Sequence, residues 1–276
     1  MALIDYETEY NNRKRVPEHP EIIAGWARDA AAYRAEAHCE LGLRYDIAPR
    51  CTYDLFHPET PHPNAPIAVF VHGGYWRTLD GAHHSHLARG LNRRGLMVAV
   101  PNYDLCPQVR IGDIIEEIRV FCAHLWETFH RPLVLYGHSA GGHLTAAAMA
   151  TDWPGRHIPA RLVIAGYAIS GLYDLIPLVG TSINDAVRMT ESEASKASPI
   201  SMGAPGGTLL TAVVGSDESD EFFRQSRVIC DLWQRGGTTT RLDMVEGANH
   251  FTVVAPLVDP GSQMVADIAA MAGLPV

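Results

Sequence analysis

The chain has 276 residues, of which 47% are hydrophobic and 19% charged, which is enough apolar material for one large domain or two small ones. With 22 Lys and Arg against 31 Asp and Glu, the formal charge is −9, which argues against binding to nucleic-acid phosphates. The five cysteines are scattered and form no C-x-x-C pair, so we expect neither a disulfide framework nor a zinc ribbon. A polar N-terminus and short apolar runs predict a cytoplasmic protein with no signal peptide and no membrane span.

Short apolar runs alternate with helical patterns from about Ile67 onward. The apolar runs predict buried strands at Ile67–Val71, Leu96–Val100, Leu133–Tyr136, Leu162–Ile169, Leu209–Val214 and Arg241–Val245. The helical patterns cover Ala82–Arg94, Ile111–Phe129, Ala140–Ala150, Phe222–Arg235 and Met264–Met271. Continuous apolar strands that alternate with helices are typical of a parallel sheet covered on both faces. We therefore predict an α/β fold with a mostly parallel central sheet.

Two segments depart from this alternation. Residues 1–45 are polar, with a helix predicted between Pro20 and Cys39, and residues 171–207 hold scattered helical turns that end in a Pro/Gly loop. Since no repeat or linker divides the chain, a single domain over residues 1–276 is the simplest prediction. The first segment is then a helical N-terminal extension and the second a small cap-like insertion, and we expect both to cover the functional site.

The sequence Gly137-His138-Ser139-Ala140-Gly141 matches the pattern G-x-S-x-G. It follows a predicted strand and precedes a predicted helix, which is the context of a nucleophile elbow. Such a turn exposes the serine hydroxyl above the sheet and directs the N–H of the next residue toward the same point. Ser139 is therefore the candidate nucleophile, and the alternative is a glycine-rich turn in which the serine merely caps the helix.

A second glycine-rich loop, His72-Gly73-Gly74-Tyr75-Trp76, follows the strand predicted at Ile67–Val71. Glycine allows the backbone to approach a ligand closely and to present its N–H groups to it. We predict an oxyanion hole made by the N–H groups of Gly74, Tyr75 and Ala140.

The base and the acid should follow the last two strands. His250 comes after the last strand in Gly-Ala-Asn-His-Phe and is the candidate general base. The acidic turn at residues 217–221 follows the strand before it. Counting G-x-x-[DE] from Gly215 selects Glu218, while Asp217 is the alternative acid. A chain order of nucleophile, acid and base is typical of α/β-hydrolases.

The sequence offers little support for a metal or a cofactor. His83, His84 and His86 lie close together, but no H-E-x-x-H motif is present. No glycine-rich dinucleotide motif follows a strand, and neither lysine belongs to a phosphate-binding loop. We predict an enzyme with no metal and no cofactor.

Five stretches of the chain are characteristic when taken together: HGGYW, GHSAGG, SGLYDLIPLV, TSINDAVRM and the stretch from Glu218 to Ser226. They resemble the kynurenine formamidase (arylformamidase) branch of the α/β-hydrolase superfamily, and the resemblance runs from about Tyr10 to Pro256. It implies the α/β-hydrolase fold, with Ser139 as nucleophile, His250 as base and Glu218 as acid. Many members carry Asp at the acid position, and Asp217 therefore stays open as the alternative.

The resemblance also implies a reaction, the hydrolysis of N-formyl-L-kynurenine to L-kynurenine and formate. The substrate would be a small acyl compound with an aromatic leaving group, and Trp76 and Phe251 are the predicted aromatic walls of its pocket. This branch also contains proteins labelled as esterases or thioesterases, so a general short-chain carboxylesterase or thioesterase is the first alternative. A catalytically inactive binding module is the second. A homodimer is the default expectation for assembly.

Overall fold

The structure is a computed structural model, and it describes residues 4–275. In that range eight strands form one sheet in the order β1-β2-β4-β3-β5-β6-β7-β8. Their bounds are β1 Cys39–Arg44, β2 Thr52–Phe56, β3 Ile67–Val71, β4 Val98–Pro101, β5 Leu133–His138, β6 Val163–Ile169, β7 Leu209–Gly215 and β8 Thr239–Val245. Strand β2 is antiparallel to both of its neighbours, and all the other pairs are parallel. The predicted α/β fold with a mostly parallel sheet is confirmed.

Ten α-helices lie in the same described range. They are α1 Tyr6–Tyr10, α2 Asn12–Arg15, α3 His19–Glu36, α4 Arg89–Arg93, α5 Ile111–Phe129, α6 Ala140–Met149, α7 Asn184–Val187, α8 Glu191–Ala197, α9 Asp220–Arg235 and α10 Gln263–Met271. In this part of the chain no helix is both long enough and apolar enough to span a membrane.

The central strands β3 and β5 are buried on both faces, as their continuous apolar runs predict. Along β3, Ile67, Val69 and Val71 belong to one apolar cluster, whereas Ala68 and Phe70 belong to the other. Successive side chains of a strand point to opposite faces, so each face of the sheet has a core of its own. The prediction of a buried strand at Arg241–Val245 is wrong, because β8 lies at the edge of the sheet and has no buried residue.

The sequence predicts neither β1 nor β2. The N-terminal extension was expected to be helical, yet it ends in strand β1, an exposed edge strand whose side chains show little apolar alternation. Strand β2 was also missed, because Asp54 interrupts its apolar run. The Asp54 carboxylate accepts the N–H of Gly42 at 2.9 Å, beside the point where the β1–β2 register shifts.

The helix predicted at Ala82–Arg94 is broken into two 3₁₀ turns, Gly81–His83 and Ser85–Ala88, followed by the short α4. The cause is local hydrogen bonding by Asp80. Its carboxylate accepts the N–H of His83, and its carbonyl accepts from the His84 ring, which closes a tight turn in place of the first α-helical turn.

The topology brings the predicted site residues to one edge of the sheet. The loops after β3, β5, β7 and β8 carry Gly74, Ser139, Glu218 and His250, respectively. In open parallel sheets, ligands bind outside the carboxyl ends of the strands, and all four loops leave such ends.

Candidate active site

Ser139 occupies a sharp turn between β5 and α6. Its φ of 57° and ψ of −118° are unusual for a residue with a side chain and cost about 1–3 kcal/mol. Close packing enforces the turn, because a Cβ at Gly137 would overlap the carbonyl of Gly141, and a Cβ at Gly141 would overlap the carbonyl of Val71. The two glycines of the motif are therefore needed for space.

His250 is paired with Glu218. The Nδ1 atom of His250 lies 2.6 Å from Oε2 of Glu218, and the two side chains are 5% and 0% exposed. The other carboxylate oxygen, Oε1, accepts the hydroxyl of Ser170 at 2.5 Å and the N–H of Gly215 at 2.8 Å. A carboxylate held in this way fixes the orientation of the imidazole and leaves Nε2 as its reactive nitrogen.

Asp217, the alternative acid, is placed differently. Its side chain is exposed and accepts a hydrogen bond from the hydroxyl of its neighbour Ser216 at 3.1 Å. Of the two candidates, Glu218 is thus the one that faces His250.

Ser139 and His250 line the same cavity, but within residues 4–275 no hydrogen bond joins their side chains. His138 connects their two loops instead. Its Nε2–H donates to the carbonyl oxygen of His250 at 2.8 Å, and the two imidazole rings lie 4.8 Å apart. Burial and the nearby His250 hold the pKa of His138 well below its ordinary value, so His138 is a neutral donor at pH 7.

The loop after β3 contains three successive residues with positive φ. These are Gly74 at 111°, Tyr75 at 48° and Trp76 at 55°. The N–H groups of Gly74, Tyr75 and Ala140 donate to no acceptor in the part of the chain that the structure describes. Free backbone donors beside a serine hydroxyl suit a developing oxyanion, and each such donor lowers the barrier of an acyl transfer by about 3 kcal/mol.

Tyr75 and Trp76 anchor this loop through their side chains. The hydroxyl of Tyr75 donates to the carbonyl of Tyr10 at 2.6 Å, and Nε1 of Trp76 donates to Nδ1 of His143 at 3.1 Å. The indole of Trp76 is fully buried in this contact and is not among the residues that line the cavity. The expectation that Trp76 forms a substrate wall is wrong, because the indole N–H needs its partner in the core.

The cavity above Ser139 encloses about 630 Å³ of empty space, including its opening to solvent. Phe251 is part of its wall, as expected for a pocket residue. The insertion contributes Ser182 and Ile183. The N-terminal extension contributes Tyr10, Asn11, Asn12, Arg13, Ile23 and Trp26. Both departures from the α/β alternation thus help to form the cavity.

Hydrogen bonds hold the extension in place. Glu7 accepts from both the N–H and the hydroxyl of Ser182, each at 2.8 Å, which joins α1 to the insertion. The hydroxyl of Tyr10 donates to the buried Glu221 carboxylate at 2.6 Å, which joins α1 to the start of α9. The extension is therefore fixed to both sides of the cavity.

Trp26 lines the cavity, although the sequence analysis assigns it no role. Its ring lies 6.1 Å from that of Phe251 and 6.2 Å from that of His138. The sequence does indicate that Trp26 is buried, because Trp26, Ala30 and Tyr33 are spaced as i, i+4 and i+7 and share the buried face of α3.

Within the described residues, no group of three or more His, Cys, Asp or Glu side chains is placed to hold a metal ion. The neighbouring histidines are used in local contacts: His83 bonds to the Asp80 side chain, and His84 bonds to the Asp80 carbonyl.

Comparison with known proteins agrees with this architecture. Residues 68–198 match a family described as having the alpha/beta hydrolase fold. Kynurenine formamidase from Danio rerio is 28% identical over 75% of this chain and 72% of that protein. Kynurenine formamidase from Drosophila melanogaster is 30% identical over 77% of this chain and 74% of that protein. A crystal structure of a proposed thioesterase from Silicibacter sp. TM1040 is 34% identical, with a TM-score of 0.84, over 97% of this chain and 100% of that one.

The fold and these matches define an α/β-hydrolase, an enzyme that acts on amide or ester bonds. More narrowly, the chain belongs to the kynurenine formamidase-like branch of that superfamily.

Proposed function

We propose that the protein is a serine hydrolase that removes the formyl group of N-formyl-L-kynurenine. Ser139 is the nucleophile, His250 the general base and Glu218 the acid that orients it. The observation that carries this assignment is the buried 2.6 Å contact between His250 Nδ1 and Glu218 Oε2, beside a cavity lined by Ser139.

The reaction follows from these positions. His250 Nε2 takes the proton of the Ser139 hydroxyl as its oxygen attacks the formyl carbon. The carbonyl oxygen becomes an oxyanion, which the N–H groups of Gly74, Tyr75 and Ala140 stabilise. His250 then protonates the leaving aryl nitrogen, the C–N bond breaks and L-kynurenine departs. A water molecule, deprotonated by His250, then attacks the formyl ester. The bond to Ser139 breaks, the Ser139 oxygen takes this proton back from His250, and formate is released.

The lining of the cavity supports an aromatic leaving group. Trp26 and Phe251 form an aromatic wall against which an aryl ring can pack, with Ile23 also in the lining. A formyl group needs very little room on the acyl side. Similarity to kynurenine formamidases at 28–30% identity supports the same substrate.

The test is steady-state hydrolysis of N-formyl-L-kynurenine, followed by the absorbance of kynurenine, with p-nitrophenyl acetate as the comparison substrate. We expect kcat/KM to favour the formyl substrate by orders of magnitude, and the Ser139→Ala variant to lose both activities. Full activity in Ser139→Ala would contradict the assignment of the nucleophile.

A short-chain carboxylesterase or thioesterase is the second candidate. The proposed thioesterase from Silicibacter, at 34% identity over nearly the whole chain, favours it. In that case the same experiment would give feeble turnover of N-formyl-L-kynurenine and rapid cleavage of p-nitrophenyl acetate. The catalytic residues would be the same, and N-formyl-L-kynurenine would not be the substrate.

A further inference from the structure

The cavity carries positive charge, although the chain as a whole has a net charge of −9. Arg13, from α2, and Arg77, from the loop after β3, both line it, and none of its lining residues is an Asp or a Glu. Within residues 4–275, the guanidinium groups of Arg13 and Arg77 make no hydrogen bond and lie within 4 Å of no carboxylate, whereas Arg224, for example, is paired with Glu221. Two unpaired guanidinium groups at an active-site cavity are suited to bind a carboxylate of the substrate.

Asn12 provides a second, independent polar group at the same cavity. It is only 2% exposed, and its Nδ2 donates to the hydroxyl oxygen of Tyr75 at 3.3 Å. The Tyr75 hydroxyl gives its own proton to the carbonyl of Tyr10, so it can only accept from Asn12, which fixes the orientation of the amide. This leaves Oδ1 of Asn12 buried without a partner. A buried acceptor of this kind is costly unless a ligand supplies a donor.

From these observations we infer that the cavity binds the α-amino-acid end of its substrate. Arg13 and Arg77 bind the carboxylate, and Oδ1 of Asn12 accepts an N–H of the ammonium group. The inference deepens the proposed function and rests on it in one respect, that Ser139 attacks a substrate in this cavity. It assigns substrate selection on the leaving-group side to the N-terminal extension together with the loop after β3.

The experiment compares three substrates that differ only at this end. They are N-formyl-L-kynurenine, its α-carboxamide, which lacks the negative charge, and its des-amino analogue, which lacks the ammonium group. Hydrogen bonds to charged groups are worth about 1.5–3 kcal/mol, so the wild-type kcat/KM should fall about tenfold or more for the carboxamide. It should fall severalfold for the des-amino analogue. The loss for the carboxamide should shrink at high ionic strength, because the arginines are partly exposed to solvent.

The matched variants are the double substitution Arg13→Gln with Arg77→Gln, and Lys14→Gln as the control. Lys14 lies next to Arg13 on the same short helix but does not line the cavity. The double variant should lose about tenfold on the parent substrate and less than twofold on the carboxamide, and Lys14→Gln should change neither. Labelling of Ser139 by a fluorophosphonate probe verifies that each variant is folded with an intact site.

Equal losses on the parent substrate and the carboxamide, or no loss on either, would overturn the role of the arginines. Equal turnover of the parent substrate and the des-amino analogue would overturn the role of Asn12.

A pair of esters separates this inference from the proposed function. 3-Acetoxybenzoate and 3-acetoxybenzamide differ by one charge and contain no formyl group. If no formyl substrate reacts, but the ester pair shows a preference for the carboxylate that the double variant loses, the proposed function fails and the carboxylate site stands. If the formyl substrates react with no preference for charge, the carboxylate site fails and the proposed function stands.

Discussion

Replacing Glu218 by glutamine should remove most of the activity while leaving the shape of the site intact. The Gly215 N–H and the Ser170 hydroxyl both donate to Oε1 of Glu218. Gly215 N–H can only donate, so the amide oxygen of the glutamine must take this position. The amide NH₂ group then points at His250 Nδ1, 2.6 Å from the present oxygen.

This amide group reverses the tautomer of the base. Facing an N–H donor, Nδ1 of His250 must be unprotonated, and the proton moves to Nε2. Nε2–H cannot accept the proton of Ser139. The equivalent acid-to-amide change in a serine protease lowers kcat by about 10⁴, which is ~5.5 kcal/mol in the barrier. We expect a loss of the same order here.

The assay is kcat/KM on N-formyl-L-kynurenine or on a short aryl ester, whichever the wild type cleaves. Asp217→Asn is the matched control, because the Asp217 side chain is exposed and accepts a hydrogen bond from the neighbouring Ser216 hydroxyl, away from His250. The activity of this variant should stay within about twofold of wild type. A Glu218→Gln variant that keeps a tenth of its activity, or an Asp217→Asn variant that loses most of it, would refute the reasoning.

Three further predictions concern the elbow, the histidine that contacts the loop of the base, and a half-buried acid. Gly141→Ala would push a Cβ into the carbonyl of Val71, so thermal unfolding should show a loss of about 3 kcal/mol, with loss of activity. His138→Leu removes the donor to the His250 carbonyl and should lower kcat/KM about tenfold. Burial raises the pKa of Glu117 from 4.5 to about 6, so this carboxyl destabilises the folded state increasingly as pH rises through that interval. Glu117→Gln should therefore gain ~1 kcal/mol at pH 8, after allowance for its partial exposure, and nothing at pH 4 in denaturant titrations.

Each of these predictions has a control. Gly112→Ala, at an open position of α5, should stabilise the protein by up to about 1 kcal/mol, and equal behaviour of the two alanine variants would contradict the packing argument. His138→Gln keeps an N–H donor and should lose less activity than His138→Leu. A Glu117→Gln variant whose gain is the same at both pH values would show that its effect does not come from ionisation.

The sequence predicts catalytic residues best where a motif that the chemistry requires also stands at the expected place in the chain order. Gly137 and Gly141 around Ser139 mark an elbow because nothing larger fits there, and the last loop marks His250. The sequence alone does not decide which residue is the acid, since Asp217 and Glu218 are adjacent carboxylates in one turn. Only the hydrogen bonds of the folded loop show which of them faces the imidazole.

Contacts distant in sequence account for what was missed. Trp76 is predicted as a pocket residue because it ends the oxyanion loop. In the structure its indole N–H donates to His143, 67 residues later, and the ring is buried in the core. Conversely, Trp26 lies more than 110 residues before Ser139 and reaches the cavity because the extension folds back over the sheet. Strand β1 was missed since an edge strand does not need an apolar face.

Labelling with a fluorophosphonate probe shows whether Ser139 is a nucleophile activated by His250 and Glu218. We expect one adduct per chain, located on Ser139 by peptide mass spectrometry. Labelling should be absent in Ser139→Ala and slower by orders of magnitude in His250→Ala and Glu218→Gln. A wild-type protein that forms no adduct at Ser139 would show that this serine is not an activated nucleophile, and would favour a binding module that has kept the hydrolase fold.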